Sequence, residues 1–280
     1  MKLSIIINTY NRPELLENCL LSISSQSQLP DELIIADDGS TEDIISILKK
    51  YKPILNVPIK YVIQKDDGFR LARCRNNGAR EASGDYIFYL DQDLVFTKDF
   101  MKTIKDNIRE NYFVVGWPIR TTKEQLNEID EYVIKNFAYQ KILKKNQFYK
   151  VVKQYKKDRL YRKLNNLKLR KKGAKFRGGV AGFYKSDFIK INGFDEKYIG
   201  WGNEDDDFGR RLFYANIKGL NPFLYDYPIH LWHQEFHENG KRVNLKYHKT
   251  AAEYLNKNNF RCEFGYDNTF GNDKYKVFEI

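Results

Sequence analysis

The chain has few cysteines and contains no long apolar run. Its three cysteines, Cys19, Cys74 and Cys262, are far apart in the sequence and odd in number. That spacing excludes a disulfide framework and a zinc cluster built from cysteine pairs. No stretch reaches the roughly 18 apolar residues that span a bilayer, and the run Leu3 to Ile7 is too short for a secretory signal. The sequence therefore predicts a cytoplasmic protein with reduced thiols.

Several nucleotide-binding signatures are also missing. No Gly-x-Gly-x-x-Gly follows the first apolar stretch and no Gly-Lys-Ser/Thr loop occurs anywhere, so neither a dinucleotide site nor a P-loop is indicated. No motif of nucleic-acid-binding proteins accompanies the positive net charge of +11, and we expect no nucleic-acid partner.

The positive charge is concentrated in one segment. Residues 135–177 hold 17 Lys and Arg residues and the single acid Asp158, a net charge of +16, so the rest of the chain is acidic. Apolar residues recur there at steps of three to five, which predicts amphipathic helices: Phe148, Val152, Tyr155, Leu160, Leu164 and Leu167. A basic amphipathic segment suits an anionic membrane leaflet or an acidic polymer, and equally a stripe that packs on the protein's own core.

Strand-like and helix-like patterns alternate through the first half of the chain. The predicted strands are Leu3 to Ile7, Glu32 to Ala36, Ile59 to Ile63 and Tyr86 to Leu90, and the predicted helices are Pro13 to Ser24, Thr41 to Lys50 and Leu71 to Ala82. This order predicts a doubly wound α/β sheet. Such sheets bind ligands beyond the carboxyl ends of their strands, where this chain places many polar residues.

Two acidic stretches are candidate sites. Asp91 and Asp93 follow an apolar run; in an extended chain they would face the same side, where paired carboxylates suit magnesium or manganese bridging a diphosphate. Four acids, from Glu204 to Asp207, open a predicted helix behind Trp201. Either stretch by itself is also typical of an ordinary acidic turn or of an acidic first helical turn.

Together the motifs resemble a known family. The first 110 or so residues resemble the nucleotide-sugar-binding half of family 2 glycosyltransferases of the GT-A fold. The segment from Gly178 to Leu212 is similar to the carboxyl-terminal region of β-1,4-galactosyltransferases and bacterial chondroitin-type polymerases. His233-Gln234-Glu235 resembles the His-Gln-Glu of those polymerases. The resemblance implies a GT-A, Rossmann-like sheet.

The resemblance also implies residue roles. For the donor, it implies that Asp38 binds uridine, that Arg75 contacts the nucleotide or its phosphates and that Asp91 faces the ribose. Further donor-site residues are Thr9, Asn11, Arg12, Asp67 and Gln92. Asp93 and His233 are the implied ligands of manganese or magnesium, with His230 and His237 as competing candidates.

On the acceptor side, the resemblance makes Asp205 the catalytic base. Trp201, Gly202, Glu204 and Asp206 would bind the sugars. The implied reaction moves a hexose or N-acetylhexosamine from a UDP-sugar to a glycan hydroxyl with inversion. Asn203 and Gln92 depart from the family pattern and affect the shape around the donor sugar; galactose or N-acetylgalactosamine is favoured by resemblance alone.

We expect four regions: a nucleotide-sugar half at 1–120, a basic helical insert at 121–177, an acceptor half at 178–245 and a tail at 246–280. The predicted setting is bacterial surface-polysaccharide synthesis on a glycan acceptor, including a lipid-linked one, at the inner membrane face through residues 135–177. Two alternatives stay open: a non-catalytic carbohydrate- or nucleotide-binding module, and an adaptor that binds a membrane or polyanion through the basic insert.

Overall fold

The computed structural model describes residues 1–170, 173–234, 242–272 and 274–280. The strands are β1 (Leu3–Thr9), β2 (Glu32–Asp37), β3 (Ile59–Ile63), β4 (Tyr86–Asp91), β5 (Leu94–Phe96), β6 (Tyr112–Val115), β7 (Ile119–Arg120), β8 (Val180–Tyr184), β9 (Lys218–Leu220), β10 (Pro228–His230) and β11 (Lys276–Glu279). The helices are α1 (Pro13–Ser24), α2 (Ile44–Leu55), α3 (Leu71–Glu81), α4 (Phe100–Asp106), α5 (Lys123–Glu128), α6 (Glu131–Lys135), α7 (Lys145–Asn166), α8 (Lys185–Lys190), α9 (Glu204–Tyr214) and α10 (Leu245–Tyr254), with a 3₁₀ helix at Ala138–Lys141.

The main sheet has the strand order β11-β3-β2-β1-β4-β8-β6-β9. Strands β3, β2, β1 and β4 are parallel, while β8 is antiparallel to β4 and to β6. The parallel strands read as continuous apolar runs because both faces of the sheet are covered. Alternate residues of β1 show this directly: Ile5 and Ile7 join one core, and Ile6 joins the other.

Helices cover both faces. Side chains of α1, α2 and α4 build the first core, and those of α3, α8 and α9 build the second. The structure thus confirms the predicted α/β class and doubly wound order. It also places the carboxyl ends of β1, β2 and β4 at one rim, since Thr9 pairs with Asp37 and Asn8 with Asp91.

A second, three-stranded sheet stands beside the first. Strand β10 lies between β5, to which it is antiparallel, and β7, to which it is parallel. This pairing sets His230 opposite Leu94, and the amide of Leu231 donates to the carbonyl of Asp93 at 2.8 Å. The small sheet therefore brings a late part of the chain to the end of β4.

Helix α9 is fixed by its buried face. The Phe208 ring stacks on Phe194 with centroids 4.1 Å apart. Arg211 is 1% exposed; it bonds Asp207 at 2.7 Å and donates to the carbonyl oxygen of Gly193 at 2.6 Å. An apolar ring and a paired buried charge thus hold the amino end of α9 in one position.

The carboxyl-terminal region is tied to the sheet. Strand β11 adds to the edge of the main sheet antiparallel to β3. Arg80 of α3 donates from Nε to the carbonyl of Tyr266 at 2.9 Å. Residues beyond 245 that the structure describes thus include a helix, α10, and an edge strand.

Two helical expectations are corrected. Helix α2 begins at Ile44 and runs to Leu55, later and longer than predicted, because Asp43 caps it by accepting from the amide of Ser46. Helix α7 is not amphipathic as predicted: only Val151 and Asp158 are buried on it. Its apolar residues are spread around the axis, and Leu160 and Leu167 are more than half exposed.

Candidate active site

The loop after β2 forms one end of the sheet rim. Asp37 is structural: its carboxylate accepts from the amide of Ser40 at 2.7 Å and from the Tyr61 hydroxyl at 2.7 Å. Asp38 is buried and accepts from the amide of Arg70 at 2.9 Å, as well as from Gln64. Burial raises the pKa of Asp38 to about 7. Four lone-pair sites on a carboxylate leave Asp38 able to accept a further donor.

The loop after β3 lies beside Asp38. Asp67 is half exposed and forms an ion pair with Arg70, the same residue whose amide bonds Asp38. Gly39 has φ +98° and a Cβ there would lie 2.5 Å from Cα of Asp66, so the two loops approach closely only because residue 39 is glycine.

The end of β1 is locked to the turn after β4. The Thr9 hydroxyl donates to the Gln92 side chain, and Gln92 Nε2 donates to the carbonyl of Tyr10 at 3.0 Å. Asn11 has φ +42° and its side-chain oxygen accepts from the amide of Thr41 at 2.9 Å. Of the predicted donor residues, Thr9, Gln92 and Asn11 therefore shape the rim by bonding to each other and to neighbouring loops.

Asp93 meets two histidines. Its Oδ2 lies 2.8 Å from Nε2 of His233 and 3.3 Å from Nε2 of His230. One ligand atom from each of these three residues lies within 4.8 Å of the others. The second oxygen of Asp93, Oδ1, is buried and has no hydrogen-bond partner among the described residues. A carboxylate with an unpaired buried oxygen beside two imidazoles fits a divalent metal.

Arg12 lies close to this cluster. Its Nη2 donates to the carbonyl of Gln234 at 2.7 Å, which ties the loop between β1 and α1 to the segment that carries His233. The competing candidate His237, together with Glu235 of the His-Gln-Glu motif, lies outside the described residues.

Asp91 and Asp93 do not converge on one ligand as an extended chain would place them. Strand β4 ends at Asp91 and the chain turns at Gln92 and Asp93. The Asp91 carboxylate consequently faces Arg75, with Oδ1 3.9 Å from Nη2, while Asp93 faces the histidines.

Arg75 is surrounded by carboxylates. Its side chain is 2% exposed, and Nη1 lies 2.8 Å from Asp205 and 3.8 Å from Glu204. The guanidinium also lies over the Phe194 ring at 4.9 Å. Arg75, expected at the nucleotide or its phosphates, is thus engaged as the shared counter-ion of Asp91, Glu204 and Asp205.

We call Arg75 and its three carboxylates, Asp91, Glu204 and Asp205, the junction. Helix α9 presents its first-turn acids to this junction. Asp205 bonds Arg75 through Oδ1 and accepts from the amide of Gly178 at 2.8 Å through Oδ2. Glu204 has 11% of its side chain exposed; burial, then the adjacent Asp205 charge, raises the pKa of Glu204 to about 7. Asp205, with 32% of its side chain exposed, is the more accessible of the two.

Two consecutive glycines make this junction possible. A Cβ on Gly178 would lie 2.4 Å from Oδ1 of Asp205, and one on Gly179 would lie 2.2 Å from Oδ2 of Asp91. Any side chain at either position would displace a carboxylate. The backbone before β8 can pass between these two acids because residues 178 and 179 are both glycine.

The remaining predicted acceptor residues lie around the start of α9. Asp206 is bridged by Lys175 at 2.5 Å and Arg242 at 3.0 Å. Gly202 has φ +101°, and a Cβ there would lie 2.8 Å from Cγ of Arg242. The carbonyl of Trp201 accepts from the amide of Val243 at 3.2 Å. These contacts hold the chain around residues 242–243 against the turn before α9.

Part of the site was not predicted from the sequence. His230 stood only as a competitor of His233, yet the structure brings both to Asp93; the signal was the His-x-x-His spacing across the end of β10. The close approach of the Gly178–Gly179 backbone to Asp205 and Asp91 was not predicted either. The signal was the pair of glycines before an apolar run, which is typical of a close backbone approach.

Comparison with known proteins places this geometry in a family. The model of glycosyl transferase family 2 matches residues 4–188, and a model described as the N-terminal domain of galactosyltransferase matches residues 158–234. The chain is 31% identical to a chondroitin synthase of Escherichia coli over 75% of this chain and 32% of that protein. It is 32% identical to a chondroitin synthase of Pasteurella multocida over 90% of this chain and 28% of that protein. The chain thus spans about a third or less of the length of these relatives.

Solved structures agree on the fold. A structure of GalNAc-T7 with UDP, GalNAc and Mn²⁺ has a TM-score of 0.60 and 15% identity, covering 90% of this chain and 48% of that one. Staphylococcus aureus TarS 1-349 in complex with UDP-GlcNAc has a TM-score of 0.55 and 17% identity, covering 90% and 64%. The architecture is that of GT-A glycosyltransferases. The resemblance found in the sequence motifs is confirmed, and the chain belongs to glycosyl transferase family 2.

Proposed function

We propose that the protein transfers a hexose or N-acetylhexosamine from a UDP-sugar to a hydroxyl of a glycan acceptor, with inversion at the anomeric carbon. The observation that carries this proposal is the shared counter-ion Arg75, which joins Asp91 at the end of β4 to Asp205 at the start of α9. The strand ends form the donor side and α9 forms the acceptor side. One buried guanidinium therefore fixes both sides relative to each other.

The donor's uridine is assigned to the rim of the parallel strands. Asp38, held by Arg70 and Gln64, accepts the N–H of the uracil, and Asp91 faces the ribose. Thr9, Asn11, Arg12, Asp67 and Gln92 form the surrounding surface. Open α/β sheets bind ligands at this rim, which supports the assignment.

Asp93, His230 and His233 are the proposed metal ligands. Manganese suits this set better than magnesium, because imidazole nitrogen is a ligand for softer ions and magnesium prefers oxygen. When bound, the ion would neutralise charge on the diphosphate as it departs. GalNAc-T7 was solved with Mn²⁺, which supports this choice of metal.

Asp205 is the proposed catalytic base. It takes the proton of the acceptor hydroxyl, whose oxygen forms a bond to the anomeric carbon while the bond from that carbon to UDP breaks and its electron pair leaves with UDP. One displacement converts an α-linked donor into a β-glycoside. Glu204, Asp206, Gly202 and Trp201 are proposed to bind the sugars, with the flat indole against an apolar sugar face.

The donor sugar and the acceptor are finer parts of the proposal. The galactosyltransferase model and the chondroitin synthase relatives favour galactose or N-acetylgalactosamine. The proposed setting is bacterial surface-polysaccharide synthesis at the cytoplasmic membrane face, on a free or lipid-linked glycan. Among the described residues, no helix combines the length and apolarity needed to cross a bilayer. We assign membrane contact to residues 135–177.

The test is UDP release from a panel of UDP-sugars with manganese, with magnesium and with a chelator. We expect one donor to be turned over with manganese, a product whose new linkage is β by NMR, and loss of turnover in Asp93→Ala. Glu110→Ala is the matched control, because Glu110 is an exposed acid before β6, at the opposite end of the sheet from the rim, and this variant should keep its donor turnover. Metal-independent turnover, or an α-linked product, would contradict the proposal.

A further inference from the structure

A cavity of about 600 Å³ lies between α7 and α9. Its walls come from one face of α7, the chain just before β8, the outer face of α9 and strand β9. Asp205 and Asp206 border it. The cavity therefore opens onto the carboxylate to which we assign proton transfer.

The lining is rich in positive charge. Six basic side chains line the cavity: Lys157, Arg170, Lys175, Arg177, Arg210 and Lys218. They come from four separate parts of the fold: α7, the chain that connects α7 to β8, α9 and β9. Charges gathered from separate elements around one concave space raise the local concentration of anions.

The acids of the cavity are already engaged. Asp206 is bridged by Lys175 and Arg242. Asp158 is buried and accepts from Gln154 at 2.8 Å and from Asn221 at 3.0 Å. By contrast, Lys157, Arg210 and Lys218 form no ion pair with any carboxylate in the part of the chain that the structure describes. The cavity thus keeps uncompensated cations.

Aromatic rings accompany the cations. The Arg177 guanidinium lies 3.4 Å from the centre of the Trp117 ring, and that of Arg170 lies 3.6 Å from the centre of Tyr161. Rings suit the apolar faces of sugars, and fixed guanidinium groups suit carboxylate or phosphate oxygens. This combination matches an anionic saccharide rather than a bare ion.

The donor's own diphosphate does not account for this charge. None of Asp38, Asp91, Asp93, His230 or His233 lines the cavity. The cations are therefore on the acceptor side of Arg75, away from the rim to which we assign UDP.

We propose that this cavity binds a carboxylate or phosphate group of the acceptor glycan, and so selects acceptors that carry negative charge near the reacting hydroxyl. The inference rests on the proposed function, because Asp205 at the cavity's edge is taken as the base. A uronic acid and a phosphorylated sugar offer the same oxygen chemistry to Lys157, Arg210 and Lys218.

The test measures binding without donor or turnover. Calorimetry follows titration with three hexasaccharides: one that contains uronic acids, the neutral product of reducing its carboxyl groups, and that neutral product after phosphorylation. The cavity variant is Lys157→Gln with Arg210→Gln. The matched control is Lys156→Gln with Lys163→Gln, which removes the same charge from the opposite face of α7.

We expect at least one anionic probe to bind ten times more tightly than the neutral one, and the cavity variant to lose at least tenfold of that affinity while the control loses less than twofold. The arm that binds identifies carboxylate or phosphate as the source. Equal binding of the neutral probe, or equal losses in both variants, would overturn the proposal.

Donor turnover separates this inference from the proposed function. With an anionic acceptor, the cavity variant should raise the KM for acceptor and leave the KM for UDP-sugar unchanged. If no UDP-sugar is turned over but the probe still binds and responds to the two cavity substitutions, the transfer reaction fails and the anion site stands. If transfer to neutral acceptors is normal but no anionic probe binds, the proposed transfer reaction stands and the anion site fails.

Discussion

Burial changes the pKa values of single carboxyl groups in this site more than neighbouring charges do. Asp38 shows this most clearly, since burial raises its pKa to about 7 although two donors bond its carboxylate. Because the pKa of Asp38 is higher in the folded protein than in the unfolded chain, the folded state binds the proton more tightly. The contribution of Asp38 to the free energy of unfolding is therefore lost as the pH rises through about 7. Uracil recognition needs the ionised form, so binding and stability should change in opposite directions.

Uridine affinity should therefore increase with pH. Uridine lacks phosphate and needs no metal, and comparison with Asp38→Asn separates the effect of Asp38 from that of Asp91, which faces the ribose and whose pKa is also raised by burial. We expect calorimetry to show roughly tenfold or more weaker binding at about pH 5.5 than at about pH 7.5, as the ionised fraction of Asp38 falls. In Asp38→Asn the affinity should be weak and should lose most of its dependence on pH. A pH-independent affinity in the unsubstituted protein would exclude Asp38 as the uracil acceptor.

His230 and His233 should both be needed for metal binding. Each imidazole nitrogen lies within 3.3 Å of the same Asp93 oxygen, so removing either one leaves two ligands. We expect His230→Ala and His233→Ala each to weaken Mn²⁺ affinity at least tenfold in calorimetry. His237→Ala is the comparison that separates the competing candidate; full affinity in His230→Ala with loss in His237→Ala would move the site.

Residue identities were predictable where one short pattern carries the chemistry. Asp93 stands out from the sequence because it follows an apolar run, and the first-turn acids of α9 stand out because four acids are consecutive behind Trp201. The partners were not predictable, because Arg75 lies 130 residues before Asp205 in the chain and His230 reaches Asp93 only through the pairing of β5 with β10. Arg75 is buried because α3, the end of β4 and the start of α9 meet around it. No local sequence pattern predicts such a meeting of distant elements.

At the scale of elements, α9 depends on its buried ion pair. Arg211 and Asp207 are 1% and 3% exposed, and the guanidinium also bonds two carbonyl oxygens. Removing one partner leaves an unpaired buried charge, so Arg211→Ala should lower the free energy of unfolding by about 3–5 kcal/mol. Arg210→Ala, one residue earlier and partly exposed, should change it by less than about 0.5 kcal/mol. Chemical denaturation measures both; similar losses would contradict this account of α9.

The glycine pair before β8 offers a second test at this scale. A methyl group at residue 179 would lie 2.2 Å from an Asp91 oxygen, so Gly179→Ala should displace Asp91 and abolish most of the transfer activity. Gly271→Ala is the control, since residue 271 lies in the carboxyl-terminal region and the nearest atom to a Cβ there would be 3.9 Å away. Equal activity in both variants would show that Asp91 has freedom the structure does not indicate.

Elements were predictable to different degrees. The parallel strands are continuous apolar runs, so β1, β2, β3 and β4 agree with the sequence prediction to within a residue or two. Helix α2 was misplaced because Thr41 suggested an earlier start than the cap at Asp43. The stripe on α7 was wrong because steps of three to five do not stay on one face over 22 residues, and tertiary packing selected only Val151 and Asp158 for burial.

For the whole molecule, the basic segment has two surfaces. One face of α7 lines the cavity, while exposed leucines lie elsewhere on the segment: Leu160, Leu167 and Leu169 are 52%, 67% and 74% exposed. Apolar side chains among lysines and arginines are typical of proteins that contact an anionic membrane surface. The membrane contact proposed for residues 135–177 would use this second surface.

Replacing these three leucines by glutamine should weaken binding to vesicles that contain anionic lipid by about tenfold or more, because apolar burial in the interface is lost. The control is Ile54→Gln, an apolar residue 56% exposed on α2. Co-sedimentation measures both. Vesicle binding that is unchanged in the leucine variant, or equally weakened in the control, would remove the membrane assignment without affecting the catalytic one.

In the proposed reaction Asp205 takes the acceptor's proton, and Arg75 with its other carboxylates holds both substrates in place. The most direct measurement compares kcat and UDP affinity in Asp205→Asn and Asp206→Asn, which differ by one position on α9. We predict that Asp205→Asn lowers kcat by roughly 10²-fold or more with UDP affinity nearly unchanged, and that Asp206→Asn lowers kcat by only a few fold. Near-normal turnover in Asp205→Asn would rule out Asp205 as the catalytic base.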